Sequence, residues 1–304
     1  MNDRGPVVES VSARPMERSR IDWVGYVFIA FFAVPFLLFN VMPIVFGIYV
    51  SFTEWSIIGE PTFIGFQNYR EALQDEWLRR AFINVFLYAV IIVPGVVFSG
   101  LLAALFVHQK WPLSALARVI LFTPNVVSAT VIGLVWVWIL DTQFGLLNHY
   151  LGLIGISAIP WLTSVQWSLF GVSIASIWWD LGLAFVLLLA ALQDVPAELY
   201  EAAEIDGAGR LTKLWFVTLP HLRPTISMVV TLQIIATMRI FSQVYVMTNG
   251  GPAGSSLSVI VHIYQKAIVQ NLLGYASAVS VLLFIVILLV TLLQRLLLRE
   301  TSRG

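Results

Sequence analysis

The chain alternates between long apolar stretches and short polar ones, a pattern typical of proteins that cross a membrane several times. The first apolar stretch, Trp23 to Phe52, contains no charged residue and exceeds the ~20 residues that a spanning helix needs. Five similar stretches follow, so the pattern predicts an all-α integral membrane protein with six transmembrane helices. The predicted spans are 23–52, 81–107, 119–140, 168–192, 225–247 and 272–293.

The polar segments outside these spans predict one membrane domain with two tails. Residues 1–20 carry charges of both signs and few apolar groups, which predicts a flexible cytoplasmic tail. The six-span domain covers 21–298, and residues 299–304 form a second cytoplasmic tail. The first apolar run is too long for the core of a cleavable signal peptide, so we expect an uncleaved signal anchor.

Residues 142–167 are harder to assign, because they lack charge but contain several glycines and a proline. We expect a folded extracytoplasmic loop with Trp161 and Trp167 at the membrane interface. A re-entrant segment is the open alternative. Residues 248–256 are rich in glycine and serine and predict a turn-rich loop.

The distribution of lysine and arginine predicts which side of the membrane each loop occupies. With the N-terminus inside, the cytoplasmic segments hold Arg4, Arg14, Arg18, Arg20, Lys110, Arg118, Arg210, Lys213, Arg223, Arg295, Arg299 and Arg303. The outer loops hold only Arg70, Arg79, Arg80 and Lys266. This asymmetry predicts that both termini are cytoplasmic.

The segment 193–223, between the fourth and fifth spans, has the pattern of two short helices joined by a turn. We expect Asp194 to cap the first helix and Pro196 to occupy its first turn. Gly207 is expected to end it, because glycine adopts the left-handed conformation without steric cost. Pro220 and Pro224 then mark the return to the membrane. Two sets of residues share a helix face: Leu199, Ala202, Ala203 and Asp206, and Leu211, Leu214, Trp215 and Thr218.

The amino-acid composition limits the classes of function that the chain can have. Hydrophobic residues make up 59% of the chain and charged residues 11%, against about 25% charged in soluble domains. Acidic and basic residues balance at 17 each, so the chain has no excess positive charge that would attract nucleic acid. No cysteine is present. The four histidines are scattered, and neither a phosphate-binding Gly-x4-Gly-Lys loop nor a Gly-x-Ser-x-Gly elbow occurs. The sequence therefore predicts no metal site and no catalytic residues.

Two charged residues fall inside predicted spans. Asp180 lies roughly 18 Å from the cytoplasmic end of the fourth span and Arg239 roughly 21 Å into the fifth, both near the midplane. Each is costly in lipid, so both should face protein or a watery cavity. One interpretation is a structural Asp–Arg pair. The other is a polar substrate cavity that also includes Ser176 and Gln243, which share helix faces with them, with Ser173 as a further hydroxyl.

The residues of the 193–223 loop resemble the EAA loop of ABC importer permeases. That pattern is Glu-Ala-Ala, three residues, Gly, nine residues, Ile, one residue, Leu-Pro. The chain matches it with Glu201-Ala202-Ala203, Gly207, Val217 in place of Ile, and Leu219-Pro220. By spacing alone the loop would be an ordinary amphipathic hairpin at the membrane surface. The segment Thr248-Asn249-Gly250-Gly251-Pro252 also looks like one found in one of the two permeases of maltose-type sugar importers.

The resemblance implies a type I ABC importer permease fold in a bacterial plasma (inner) membrane. Its implied partners are a second homologous permease, an ABC ATPase dimer that binds ATP and Mg²⁺, an extracytoplasmic solute-binding protein and a sugar; no cofactor is expected on this chain. The residues that would form the coupling helix and its return turn are Glu201, Ala202, Ala203, Asp206, Gly207, Leu219 and Pro220. The substrate would contact Ser176, Asp180, Arg239 and Gln243.

Two other classes of function fit the sequence less well. A stand-alone secondary carrier would use Asp180 as a proton or sodium site with Arg239 as its counter-charge. It leaves the polar loop without a role, and no internal repeat of the kind found in many such carriers is visible. An intramembrane enzyme lacks a nucleophile or metal constellation. The cargo stays open between a neutral sugar and a phosphorylated glycerol, since Arg239 favours an anionic group and Asp180 a neutral polyol.

Overall fold

The computed structural model describes residues 23–56, 59–109 and 113–300. The described helices are α1 (Trp23–Phe36), α2 (Met42–Val50), α3 (Gln67–Gln74), α4 (Glu76–His108), α5 (Ser114–Val126), α6 (Ala129–Ile139), α7 (Leu146–Leu153), α8 (Ser168–Gln193), α9 (Ala197–Ile205), α10 (Arg210–Lys213), α11 (Leu219–Met238), α12 (Ser242–Met247), α13 (Val259–Tyr264) and α14 (Leu273–Glu300). Two short strands, β1 (Thr53–Glu54) and β2 (Thr62–Phe63), pair antiparallel. The predicted tail 1–20 lies outside the described residues, and of the tail 299–304 only the start is described, as the end of α14.

The predicted all-α membrane fold is confirmed, but its spans are less regular than six continuous helices. Four helical segments are long and apolar enough to cross a membrane: residues 26–50, α4, α8 and residues 273–296 of α14. The helices α5 and α6 make a fifth span if the pair is counted as one, and they are bent by 102°. The described part of the chain therefore holds four or five spans by length and composition, rather than the predicted six.

The two irregular spans are the third and the fifth. The third is broken at Val127 and Ser128, which are extended, soon after Pro124 removes a backbone donor. The indole Nε1 of Trp179 donates to the carbonyl of Val127 at 3.2 Å and so satisfies one acceptor at the break. The fifth stops at Met238 and resumes in α12. Broken backbone at membrane depth is tolerated where protein groups satisfy it or where it lines a cavity.

Residues up to Gly47 and residues from Ile48 onward form two compact units. In the first unit, a π-helical turn at Leu37–Val41 separates α1 from α2, with Pro35 just before it and Pro43 just after it. The first apolar stretch thus contains a widened helical turn between its two prolines. None of the described side chains of this unit is buried.

In the second unit, α4 and α8 pack closely because glycines remove side chains from their contact. A Cβ atom added to Gly100 would lie 3.0 Å from the Cβ of Ala184 and 3.2 Å from the backbone nitrogen of Phe185. A Cβ on Gly95 would lie 2.5 Å from Cδ1 of Ile177. Small residues at such contacts are the usual way in which membrane helices approach each other.

Residues 142–167 form the folded loop that the sequence predicts, built around the amide of Asn148. Its Nδ2 donates to the carbonyl of Ile159 at 2.9 Å, and its Oδ1 accepts from the Ile159 N–H at 3.0 Å and from Nε1 of Trp161 at 3.1 Å. Trp161 is consequently buried in the core and not exposed at an interface. Trp167 is partly exposed and meets it edge-on, with the ring centroids 5.3 Å apart.

The predicted turn-rich loop 248–256 is confirmed, and α4 holds it in place. Four of its residues have positive φ. Nδ2 of Asn84 donates to the carbonyls of Gly254 and Leu257 at 2.8 and 3.0 Å, and the hydroxyl of Tyr88 donates to the carbonyl of Ser256 at 2.9 Å. The polar residues inside α4 therefore serve the backbone of a distant loop.

A second group of side-chain contacts, centred on Asp75, joins the starts of α4 and α14 to α13. One oxygen of Asp75 accepts from the first backbone N–H groups of α4, and the other accepts from the Tyr275 hydroxyl at 2.8 Å. His262 Nε2 lies 3.3 Å and Lys266 Nζ 3.7 Å from that second oxygen. Burial opposes ionisation of Asp75, but these hydrogen bonds and the charge of His262 hold its pKa below the usual value. Burial lowers the pKa of His262 despite the nearby carboxylate.

The close contact between α4 and α8 generates a stability prediction. Gly100→Val should destabilise the protein by about 1–3 kcal/mol, because the added atoms have no room between the helices. Gly152→Val is the matched control, since nothing lies within 4 Å of a Cβ at that helical position. The measurement is the melting temperature of each purified variant in detergent. Equal melting temperatures would contradict the described packing.

Candidate functional site

A polar cavity of about 190 Å³ lies where α8 passes the break between α11 and α12. All four residues predicted from the sequence line it: Ser176, Asp180, Arg239 and Gln243. The first two lie one turn apart on α8. The other two flank the break, because Arg239 caps the end of α11 and Gln243 belongs to the first turn of α12.

The two charges share the cavity without forming an ion pair. Within the described part of the chain, no carboxylate lies within 4 Å of Arg239 and no basic nitrogen within 4 Å of Asp180. The interpretation as a structural Asp–Arg pair is therefore not supported by the geometry. The hydroxyl of Ser176 donates to the carbonyl of Val172 at 2.9 Å, so it retains lone pairs for another donor. Ser173, also considered from the sequence, is fully buried and does not line the cavity.

The break adds a residue that the sequence did not point to. Thr237 lines the cavity, and its buried hydroxyl oxygen has no hydrogen-bond partner among the described residues. On a continuous helix Thr237 and Arg239 would point about 200° apart, since successive residues turn by about 100°. Only the interruption at 239–241 brings both to one cavity. A buried, unpartnered hydroxyl beside a cavity is free to bind whatever enters it.

Three aromatic residues that are close to the site in sequence have different positions. Trp179 lines the cavity, with its indole N–H directed to the broken third span. Trp178 faces outward and meets Trp136 edge-on at 5.9 Å. Tyr245 lies outside this cavity and stacks on Phe241, which lines it, with centroids 5.3 Å apart.

The second candidate site is the hairpin formed by α9, α10 and the turn between them. The helix α9 ends at Ile205, and Gly207, directly after the C-cap residue Asp206, has a φ of +77°, the left-handed conformation predicted for it. The N–H of Gly207 donates to the carbonyl of Glu204 at 3.0 Å, and the N–H of Ala208 to the carbonyl of Ala203 at 2.8 Å. This pair of bonds is the Schellman motif, which satisfies the last carbonyls of a helix.

Two details of the hairpin differ from the prediction. Asp194 does not cap α9: it lies at the C-terminal cap of α8, and Pro196 occupies the N-cap of α9. A residue before proline is disfavoured in the helical region, so α9 cannot start earlier. In addition, α10 runs through a π-helical turn at Leu214–Thr218 directly into α11. Pro220 is tolerated there because it falls in the first turn of α11.

Side chains fasten the two arms of the hairpin. The Tyr200 hydroxyl lies 3.0 Å from Oγ1 of Thr218. Nζ of Lys213 donates to the carboxylate of Glu204, and this hydrogen bond and the positive charge lower the pKa of Glu204. Because the folded-state pKa is depressed, the contribution of this pair is present at neutral pH and is lost as the pH falls through that pKa.

The hairpin presents both polar and large apolar side chains to its surroundings. Glu201, Ala202 and Asp206 are exposed, and Ala203 is half-buried. Five large apolar residues are also exposed: Leu199 (46%), Ile205 (87%), Leu211 (73%), Trp215 (64%) and Phe216 (78%). Apolar surface grouped in this way on a charged loop indicates an interaction surface. Of the predicted return turn, Leu219 is half-buried and Pro220 exposed.

The fold matches solved structures of transporters. A crystal structure of a bacterial ABC transporter involved in the import of the acidic polysaccharide alginate contains a chain that superposes with a TM-score of 0.80 at 22% identity, covering 92% of this chain and 96% of that one. The same transporter in complex with an alginate pentasaccharide-bound periplasmic protein gives a TM-score of 0.81 at 22% identity, covering 93% of this chain and 96% of that one.

Sequence comparison gives nearer relatives. The probable ABC transporter permease YurN of Bacillus subtilis is 34% identical over 269 residues, covering 86% of this chain and 91% of the relative. The diacetylchitobiose uptake permease NgcF of Streptomyces coelicolor is 33% identical and covers 100% of this chain and 94% of its own. The arabinooligosaccharide permease AraP of B. subtilis is 33% identical over 88% of this chain and 86% of the relative.

Residues 95–303, which include the hairpin and all the cavity-lining residues except Ile92, match the family described as binding-protein-dependent transport system inner membrane components. The chain belongs to this family and is a permease subunit of an ABC transporter, whose ATP hydrolysis takes place on a partner subunit.

Proposed function

We propose that this permease forms half of the pathway for a sugar or sugar-like solute and couples that pathway to a separate ATPase through the hairpin 193–223. The observation that carries the proposal is the connection between the two candidate sites. The helix α8 leads from the cavity at Asp180 to the start of the hairpin. Residues 210–238 lead back from the hairpin to Arg239 as one uninterrupted helical segment of roughly 40 Å.

The assignment of a sugar rests on the cavity and on the relatives. Hydroxyl, carboxylate, guanidinium and amide groups converge in one small cavity, and together they supply the donors and acceptors that a polyhydroxylated ligand needs. Several relatives are named for sugars, among them the trehalose/maltose permease MalF of Thermococcus litoralis, which is 30% identical over 87% of this chain. We propose Ser176, Asp180, Arg239 and Gln243 as substrate contacts, with Thr237 added by the structure.

The ATPase contact is assigned to the hairpin because its exposed surface fits that role. The residues proposed to seat in the ATPase are Glu201, Ala202, Ala203, Asp206 and Gly207, with Leu219 and Pro220 completing the turn. The small alanine side chains let another protein approach the α9 backbone closely. The exposed apolar residues beyond Gly207 add the surface that a stable protein contact requires.

The arrangement supports alternating access. A force on α9 passes through the Schellman turn and the Tyr200–Thr218 contact into α10 and α11, and so reaches the cavity wall. Only a ligand that binds the two states with different affinity can shift them. In this proposal that ligand is ATP on the partner, and a solute-binding protein delivers the cargo from outside.

The orientation of the chain in the membrane is assigned from the distribution of lysine and arginine. It places both termini and the hairpin on the cytoplasmic side of a bacterial inner membrane. The complete assembly in this proposal contains two permeases, two ATPase subunits and one binding protein. The cavity contains one acidic and one basic group, so by itself it does not select between a neutral and an anionic cargo.

The function is tested by purification and transport. We expect the tagged chain, expressed with its neighbouring transport genes, to copurify with an ATPase, and the reconstituted complex to accumulate a sugar only when ATP is present. Vesicles with the chain alone and an imposed proton or sodium gradient are the control. Gradient-driven uptake by the chain alone would instead support the secondary carrier that uses Asp180.

The coupling role predicts that Gly207→Val uncouples the transporter. Valine in the left-handed conformation costs about 1–2 kcal/mol, so the turn that orients α9 is distorted. Gly209→Val is the matched control: Gly209 has φ −70°, and neither glycine has an atom within 4 Å of an added Cβ. The measurement is stimulation of ATPase activity by the loaded binding protein. We expect Gly207→Val to lose most of it and Gly209→Val to retain it; similar values would contradict the role.

The cavity predicts that Asp180→Asn and Arg239→Gln each weaken sugar uptake. A hydrogen bond to a charged group contributes about 1.5–3 kcal/mol, so KM should rise by roughly ten- to a hundredfold with little change in the amount of inserted protein. Ser173→Ala is the control, because that hydroxyl bonds Leu169 and does not line the cavity. If both charge variants had wild-type KM values, the proposal that Asp180 and Arg239 contact the substrate would be contradicted.

A further inference from the structure

A second and larger cavity, of about 490 Å³, lies apart from the one just described. It is an open cavity, lined by the end of α6 and the turn after it, by residues 162–163, by α12 and by the turn 248–252. Its volume is within the range of about 300–1,000 Å³ that small-molecule sites occupy. In the proposed orientation all of these segments lie at the extracytoplasmic ends of their helices. This outer cavity is therefore on the side from which cargo arrives.

The outer cavity offers polar groups that no protein group occupies. The side chains of Thr142, Thr163 and Asn249 line it, and in the described ranges none of them forms a side-chain hydrogen bond. Hydroxyl and amide groups of this kind both donate and accept. They are therefore available to a ligand that itself presents donors and acceptors.

Among the described residues that line the outer cavity, Asp141 is the only charged one. Its Oδ1 accepts from the backbone N–H groups of Gln143 and Phe144 at 2.8 and 3.0 Å, which fixes the carboxylate in position. The second oxygen can accept from a hydroxyl group. An anionic ligand would meet this negative charge with no cation in the cavity lining to offset it, so the outer cavity disfavours anions.

An aromatic wall separates the two cavities. Tyr245 is 38% exposed and lines the outer cavity, whereas Phe241 lines the inner one. Their rings are nearly parallel, at 14° with centroids 5.3 Å apart, and Tyr264 packs against both at 5.2 and 5.6 Å. The ring of Tyr245 gives the outer cavity a flat apolar surface beside its polar groups. The weakly positive C–H groups of a sugar ring pack well on such an aromatic face.

We infer that the outer cavity is a second binding site, which holds an uncharged carbohydrate on Tyr245 before it passes the aromatic wall to the inner cavity. The inference rests on the proposed sugar function and adds the class of sugar. The inner cavity contains Asp180 and Arg239 and so tolerates either charge, while the outer cavity contains Asp141 alone. Selection against acidic sugars therefore takes place at the outer site.

The absence of cysteine from the chain allows a direct test by labelling a single introduced thiol. Thr163→Cys places a thiol in the outer cavity, and Tyr150→Cys places one on α7, 60% exposed and outside it. The detergent-purified complex, without binding protein, is treated with a charged methanethiosulfonate reagent. Maltose, trehalose, diacetylchitobiose and arabinotriose are the neutral probes, and an alginate trisaccharide is the acidic one. Uptake of each by the wild-type complex is measured in parallel.

We expect the neutral sugar that is taken up to slow modification of Thr163→Cys by about tenfold at ten times its half-saturating concentration. Modification of Tyr150→Cys should be unchanged. In the Thr163→Cys background, Tyr245→Ala should abolish the protection and Tyr245→Phe should retain it. Asp141→Asn keeps an acceptor for the backbone N–H groups of the turn but removes the negative charge. In this variant the acidic trisaccharide should protect the thiol of Thr163→Cys from modification.

Several results would overturn the inference while leaving the sugar importer intact. They are uptake of a sugar without protection of Thr163→Cys, equal protection at both thiols, protection that survives Tyr245→Ala, and protection by the acidic trisaccharide in the chain with Asp141. Uptake of the acidic trisaccharide alone would also overturn it. Uptake of none of the sugars by the wild-type complex would count against the sugar function itself, and the inference would fail with it.

Discussion

The structure depends on the need to satisfy backbone hydrogen-bonding groups inside a membrane. Lipid offers them no partners, so an interrupted helix is tolerated only where protein groups or a watery cavity replace the lost bonds. The fifth predicted span is interrupted at 239–241, where the Ser258 hydroxyl donates to the carbonyl of Ile240 at 2.8 Å. The third is interrupted at Val127, where Trp179 supplies the donor. Because α8 carries Trp179 and Asp180 side by side, one helix both supports a break and lines the cavity.

This constraint also explains why the hairpin and the cavity belong together. The segment from α10 through α11 stays helical from the aqueous surface to the cavity, through a π-helical turn and with Pro220 and Pro224 within it. The break comes only at Arg239, where the cavity begins. Because this helical segment ends at the cavity, a displacement of the hairpin along it reaches the cavity wall at Arg239.

Much of this could be predicted from the sequence, and the failures have physical causes. Hydropathy located the apolar stretches. The turn at Gly207 could be predicted because only glycine takes that backbone conformation without steric cost. Ser176, Asp180, Arg239 and Gln243 could be grouped because polar residues are costly in lipid and so converge. The breaks were missed because both apolar stretches continue beyond Val127 and Ile240, and neither Pro124 nor Arg239 within such a stretch shows by itself that the helix stops. Because the second break was not predicted, Thr237 was not predicted to line the cavity either, since it reaches the cavity only because the helix stops there. Asn148 and Trp161 could not be paired, since their contact depends on tertiary folding.

The hydrogen bonds from Asn84 and Tyr88 to the loop 248–257 have a consequence for how the pathway opens. They attach the rim of the outer cavity to α4, a helix that does not enter the hairpin. The aromatic residues on the other side of that rim follow α11 and α12. The loop is thus held from two sides, by α4 through these hydrogen bonds and by α12 through the chain itself, so a displacement of either helix changes the width of the outer cavity.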